Sequence, residues 1–266
     1  MNHYLSLVQS IAKVNYDDRA VFTCRDRLDA IAEHLAGTNW KKVNDSGLFD
    51  LYAIDGKLPE KAVLISTHAD CVDTITQCFA EAREDCWLGT FDNLITNAAA
   101  MILMLENRLD SNVVVAFTGD EERGSNGAAE VADYLRGKGC GISAIVLDVT
   151  PTGYDEGAYF SVENNFWDGN FGKTVIDAAK SAPYKWTFVP SNVDEIPDYV
   201  PADAVIPMKA WPDESWRYDE IGVQCFSYCI PTQGDMHNND GVLVREVSFT
   251  AYLDMLALMA NALAAN

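Results

Sequence analysis

The stretch Ala62-Val63-Leu64-Ile65-Ser66-Thr67-His68-Ala69-Asp70 decides how this chain is read. Residues 62–66 form an uninterrupted uncharged run. A run of this length reads as a strand buried on both faces, as in a parallel sheet. It stops abruptly at a His-x-Asp. Two similar runs follow at 113–117 and 144–147, and 223–230 supplies a fourth. Between and after them lie helical patterns at 94–105, 127–136, 172–181 and 246–263. The first of these is apolar on every side and is predicted to be buried. Towards the N-terminus, Val21, Cys24, Leu28, Ile31 and Leu35 recur at helical spacing, so 17–35 is predicted as an amphipathic helix closed by Gly37. Residues 38–54 read as two strands joined by Asn44-Asp45-Ser46-Gly47. Strands alternating with helices predict an α/β fold: a three-layer αβα sandwich around a mostly parallel mixed sheet.

The bulk properties narrow the function. The chain has 266 residues, 48% of them hydrophobic, which suits a folded protein. No Pro-, Gly- or Ser-rich linker divides it, so a single catalytic domain over 1–266 is expected. The 40 acidic residues against 19 basic ones give a net charge of −21. That balance argues against nucleic acid and anionic membrane surfaces as partners, because both select a basic face. The start, Met1-Asn2-His3-Tyr4-Leu5, has neither a basic region nor a long apolar one, and no membrane span is expected. Seven scattered cysteines do not make a disulfide framework. A cytoplasmic protein is the expectation. The stretch 190–212 contains five prolines and is expected to run irregularly over the surface as a rim or lid.

Each buried run is followed by groups that can bind metal. His68 and Asp70 follow the first, Glu121 and Glu122 the second, Asp148 ends the third, and His237 comes seven residues after the fourth. Ligands of open α/β sheets collect at the carboxyl ends of strands. Scattered surface acids would not pick out that edge four times. Asp92, in Gly89-Thr90-Phe91-Asp92-Asn93, precedes the buried helix and can face the same crevice. Imidazole and carboxylate together suit zinc, and also cobalt, manganese or iron. Two metals about 3.5–4 Å apart need a bridging oxygen ligand. A carboxylate can bridge and an imidazole cannot, which favours Asp92. Each metal then takes one His and one further carboxylate. One of the adjacent glutamates can bind metal while the other serves as general base, and Asp70 can orient the His68 ring.

In these blocks the chain resembles the di-zinc aminopeptidase families. His68-Ala69-Asp70, Phe91-Asp92-Asn93, Asp120-Glu121-Glu122-Arg123-Gly124 and Asp148 match the family blocks in order. The closing stretch Gly222-Val223 through Ile230-Pro231 to Met236-His237 is most similar to the tetrahedral (glutamyl/leucyl) branch. The resemblance implies a zinc-exopeptidase-like fold and removal of an N-terminal residue from a peptide or amide. It implies that His68 and Asp148 hold one zinc, that Glu122 and His237 hold the other, and that Asp92 bridges. Glu121 becomes the base and Asp70 the support of His68. It also implies a cis bond between Asp92 and Asn93.

The tetrahedral branch carries an extra domain between its His-x-Asp and its bridging aspartate. Here only 23 residues separate His68 from Asp92, so that domain is not expected, nor is a substrate contact from a partner subunit. Asp213 and Glu214 are candidates for gripping a substrate amine, and Tyr218 or Tyr228 for the oxyanion. Two other readings use the same residues. One is an N-acyl amino acid deacylase or carboxypeptidase, with Arg123 or Arg217 gripping a carboxylate. The other is a non-catalytic metal-binding protein.

Overall fold

The computed structural model describes residues 3–14, 24–45 and 47–266. The chain runs α1 (His3–Ser10), α2 (Arg25–Leu35), β1 (Trp40–Asp45), β2 (Phe49–Ile54), β3 (Lys61–His68), β4 (Ala80–Arg83), β5 (Cys86–Gly89), α3 (Leu94–Leu105) and β6 (Val113–Thr118). It continues with α4 (Glu121–Gly124), α5 (Asn126–Gly137), β7 (Gly141–Thr150), β8 (Phe160–Phe166), α6 (Gly169–Ser181) and β9 (Trp186–Val189). It closes with α7 (Glu214–Glu220), β10 (Cys225–Pro231), β11 (Val242–Arg245) and α8 (Glu246–Ala264).

Eight strands form one twisted sheet in the order β1-β2-β6-β3-β7-β10-β8-β9. The central neighbours β6, β3, β7 and β10 are mutually parallel, while β2 and β8 join them antiparallel. Alternation inside the apolar runs explains the layers. Val63 and Ile65 of β3, Val113 and Val115 of β6, and Ile145 and Leu147 of β7 pack into one core with α3, α6 and α8. The intervening Leu64, Val114, Ala116 and Val146 pack into a second core with α5 and α7. Successive side chains in a strand point to opposite faces, so a run apolar at every position has two helical layers to cover. The αβα sandwich and its mixed, largely parallel sheet are as expected.

Other features differ from the sequence reading. The predicted helix 17–35 is present from Arg25; positions 17–23 lie outside the described residues. Asp148 does not end its strand, because β7 continues to Thr150. The helix α8 has the length and apolar character of a membrane span, contrary to the expectation that nothing would approach one, and 61% of it is buried inside the molecule. It packs on α6, β3 and β10.

A second sheet, β11-β5-β4, has no counterpart in the sequence reading. Its strands are four residues long, too short for a periodicity signal. Gly241 makes its closure feasible. Gly241 has φ +74°, and a Cβ there would stand 2.6 Å from the Gly89 carbonyl oxygen. Only glycine combines that dihedral with that approach.

Candidate metal centre

The four motif-bearing strand ends lie side by side, since β6, β3, β7 and β10 are consecutive in the sheet. His68 closes β3 in register with Thr118 of β6. The chain leaving β6 turns through Asp120 in the left-handed region, φ 62°, and so points Glu121 and Glu122 back over the sheet edge. The Glu122 backbone N–H donates to Asp70 Oδ2 at 3.3 Å, while Asp70 Oδ1 stands 3.4 Å from His68 Nδ1. Asp70 thus sits between the His68 ring and the glutamate turn.

Asp92 reaches the same edge from the small sheet. Its bond to Asn93 is cis, as the family resemblance implies. Asn93 Nδ2 donates to the Leu147 carbonyl at 2.8 Å, and Asn97 Nδ2 donates to the His68 carbonyl at 2.7 Å. The start of α3 is therefore fastened to the ends of β7 and β3. His237 arrives through the small sheet as well. Gly89 pairs with Val242, which places the residues after β5 beside those before β11. Thr74 Oγ1 donates to the His237 carbonyl at 2.6 Å and holds that turn in place.

The resulting geometry centres on one carboxylate. Asp92 Oδ1 lies 3.2 Å from His68 Nε2, and Asp92 Oδ2 lies 3.3 Å from His237 Nε2. Asp148 Oδ1 is 3.9 Å from His68 Nε2. Donor atoms come within 4.8 Å of one another in three sets: His68, Asp92 and Asp148; Asp92, Glu122 and His237; and His68, Glu121 and Glu122. All seven residues singled out in the sequence converge here.

Charge in this cage is unbalanced: five carboxyl groups face two imidazoles. Burial works against ionisation of Asp92, but the adjoining imidazoles of His237 and His68 hold its pKa well below the usual range. Burial pushes Glu121 up to about 8, with Glu122, Glu214 and Asp92 adding to the shift against the pull of His68. Burial, then Asp92, pushes Glu122 up to about 7. Asp148 is raised by burial and by Asp92. The hydrogen bond to Asp92 brings His237 up to about 9. Such an excess of buried negative charge needs protons or cations. The donor set fits divalent metal. Asp92 Oδ1 is buried without a hydrogen-bond partner although an imidazole nitrogen faces it, the arrangement of two donors turned towards a shared cation.

The cage opens into a cleft of about 320 Å³, also lined by Thr150, Glu163, Trp211, Asp213, Cys229 and Met236. The proline-rich excursion contributes Trp211 and Pro212 to this wall, in line with a rim. Glu163 and Trp211 were not singled out by sequence. Glu163 sits inside β8, where no motif marks it. Asp213 lines the cleft but is engaged by Ser215, whose backbone N–H donates to it at 2.8 Å. Glu214, the other candidate for gripping a substrate amine, does not line the cleft. It is 1% exposed behind the cage, accepting from Ser66 and Thr118. The two tyrosines considered for an oxyanion are fully buried, with Tyr218 donating to Ser66 and Tyr228 to the Tyr252 carbonyl. Arg123 faces Asp73 and Arg217 pairs with Glu220, and neither lines the cleft.

No protein-family model and no curated protein matches the sequence. Solved structures do match in three dimensions. The TET aminopeptidase from the marine sediment archaeon Thaumarchaeota archaeon SCGC AB-539-E09 superposes with a TM-score of 0.71 at 12% identity, over 97% of this chain and 96% of that one. The Pyrococcus horikoshii TET1 peptidase, which can assemble into a tetrahedron or a large octahedral shell, gives 0.66 at 9% identity over 97% and 99%. BSAP, a zinc aminopeptidase from Bacillus subtilis, gives 0.53 at 12% identity over 79% of this chain and 48% of that one. At these identities the likeness is one of fold: this chain has the mixed α/β architecture of these peptidases.

Proposed function

We propose that this chain is an aminopeptidase using two divalent metal ions, zinc by preference, to remove an N-terminal residue from peptides or related amides. One observation carries the reading: the two oxygens of Asp92 face two different imidazoles, His68 at 3.2 Å and His237 at 3.3 Å. A carboxylate so placed is suited to bridge two cations. His68 and Asp148 would complete one position, Glu122 and His237 the other. The fold neighbours described as aminopeptidases support the class, and one of them is described as a zinc enzyme.

The metals would supply Lewis acidity to the attacking water and to the scissile carbonyl. Glu121 would serve as the base. It groups with His68 and Glu122 but not with Asp92 and His237, so it is spare once Glu122 is a ligand. Its carboxylate takes the proton of the water and passes it to the leaving amine. Asp70 keeps the His68 ring turned with Nε2 towards Asp92. The acidic wall of the cleft favours a cationic N-terminus. Among the described lining residues there is no Lys or Arg to hold the carboxylate that a deacylase or carboxypeptidase must grip.

Metal analysis combined with a substrate panel tests this. The expected result is about two metals per chain and turnover of aminoacyl anilides but not of N-acyl amino acids. Fewer than about one metal per chain, or preference for the N-acyl compounds, overturns the proposal.

A further inference from the structure

Beside the first turn of α3 lies a buried cation with sulfur partners. Arg27 of α2 is 0% exposed. Its Nη1 donates to Asn97 Oδ1 at 3.2 Å, and its Nη2 faces Lys13 O at 3.2 Å, Cys71 Sγ at 3.4 Å and Cys78 Sγ at 3.1 Å. Among the described residues it has no carboxylate partner. A buried guanidinium is stable only where negative charge or strong acceptors compensate it. Thiolate character on sulfur would supply this. Thr90 Oγ1 donates to Cys78 Sγ at 3.3 Å. Both cysteines retain partial exposure, unlike Cys24, Cys140, Cys225 and Cys229, which are buried.

The pair frames the loop that holds a proposed ligand. Between the two cysteines, Thr74 Oγ1 donates to the His237 carbonyl, and the backbone N–H groups of Thr76 and Gln77 donate to Asn239 Oδ1 at 2.7 and 3.1 Å. Cys71 Sγ is also 3.7 Å from the Asp92 carbonyl. On the other flank, Arg27 holds Asn97, which holds the His68 carbonyl.

We propose that Cys71 and Cys78 are a redox modification site that reacts with small hydroperoxides and, through this loop, alters metal binding at the cage. Cys78 sulfur attacks one peroxide oxygen and the O–O bond breaks. That oxygen stays on sulfur as a sulfenic acid, and the other leaves as water or alcohol with the thiol proton. Cys71 sulfur then attacks Cys78 sulfur, and the S–O bond breaks. The second water leaves with the Cys71 proton, and the S–S bond forms. Two thiols lose two electrons and one hydroperoxide gains them. Both sulfurs already contact the same nitrogen, Arg27 Nη2, and close from there to the disulfide length of about 2.05 Å.

The test is peptide mapping of the full-length metal-loaded chain after hydrogen peroxide, with and without a reducing thiol. The expected product is a Cys71–Cys78 linked peptide, about 2 Da lighter than the reduced pair and restored by the thiol. It should form at least about tenfold faster than any change at the partly exposed Cys86. In Cys71→Ser, a dimedone adduct is expected on Cys78; in Cys78→Ser no disulfide forms. Zinc affinity of the oxidised chain, read by competition with a chromogenic chelator, is expected to change by about tenfold, the usual size of an outer-shell perturbation. A pair that stays reduced while Cys86 oxidises overturns the proposal. A disulfide that leaves zinc affinity unchanged overturns its link to the cage. The disulfide reading is independent of metal and of peptidase activity; the zinc reading rests on the proposed metal cage, so a chain that binds no metal overturns the proposed function while the disulfide reading still tests the cysteine pair.

Discussion

At the scale of single residues, the seven groups legible in the sequence all reach one place: His68 closes β3 with Asp70 just beyond, Glu121 and Glu122 open α4 after β6, Asp148 lies near the end of β7, Asp92 just precedes α3, and His237 lies in the loop from β10 to β11. Their individual roles differ in what removal should do. Glu121→Gln keeps the shape and removes the proposed base, so kcat is expected to fall by about 10²–10⁴-fold with metal content unchanged. An active Glu121→Gln enzyme with its metals in place would exclude this residue as the base. Asp92→Ala removes the oxygens facing both imidazoles and is expected to lose metal from both positions, whereas Asp148→Ala should lose it from one. Elemental analysis of the purified variants separates the two outcomes. Residues further into the wall were not legible. Asp213 was marked as a grip for a substrate amine but not as cleft wall, and Glu163 was not marked at all, because their access to the cleft depends on neighbouring strands rather than on local pattern.

At the scale of elements, the long buried runs announced β3, β6, β7 and β10, while the short strands β4, β5 and β11 gave no signal. Those short strands nevertheless bring Asp92 and His237 together, through the pairing of Gly89 with Val242. Gly241→Ala tests this dependence. It places a Cβ 2.6 Å from the Gly89 carbonyl oxygen at φ +74°. The expected cost is about 1–3 kcal/mol in chemical denaturation, accompanied by weaker metal binding, since the small sheet carries the approach of both residues. A variant as stable as the parent, with unaltered metal affinity, would show that this sheet does not set the cage.

At the scale of the whole molecule, buried acids shape the pH dependence of stability. Burial raises Glu214 to about 7, against hydrogen bonds from Thr118 and Ser66. A carboxyl raised on folding contributes stability that is complete below its unfolded value, near 4.5, and is lost as pH rises towards 7. Glu214→Gln should therefore gain relative to the parent across that window, by about 3 kcal/mol at most. Urea titrations of metal-free protein at pH 5 and pH 8 measure it; an equal difference between the two proteins at both values would contradict the assignment. The sequence by itself determined the layer plan and the carriers of the chemistry. Alternation within apolar runs, and the groups that end those runs, are local properties of the chain. The tertiary structure alone decided that β6, β3, β7 and β10 are neighbours, that a second sheet delivers Asp92 to His237, that Glu214 lies behind the cage, and that Arg27 meets two cysteines from a distant loop. Strand order and long-range contacts follow from which faces pack together, and no single stretch of sequence encodes that choice.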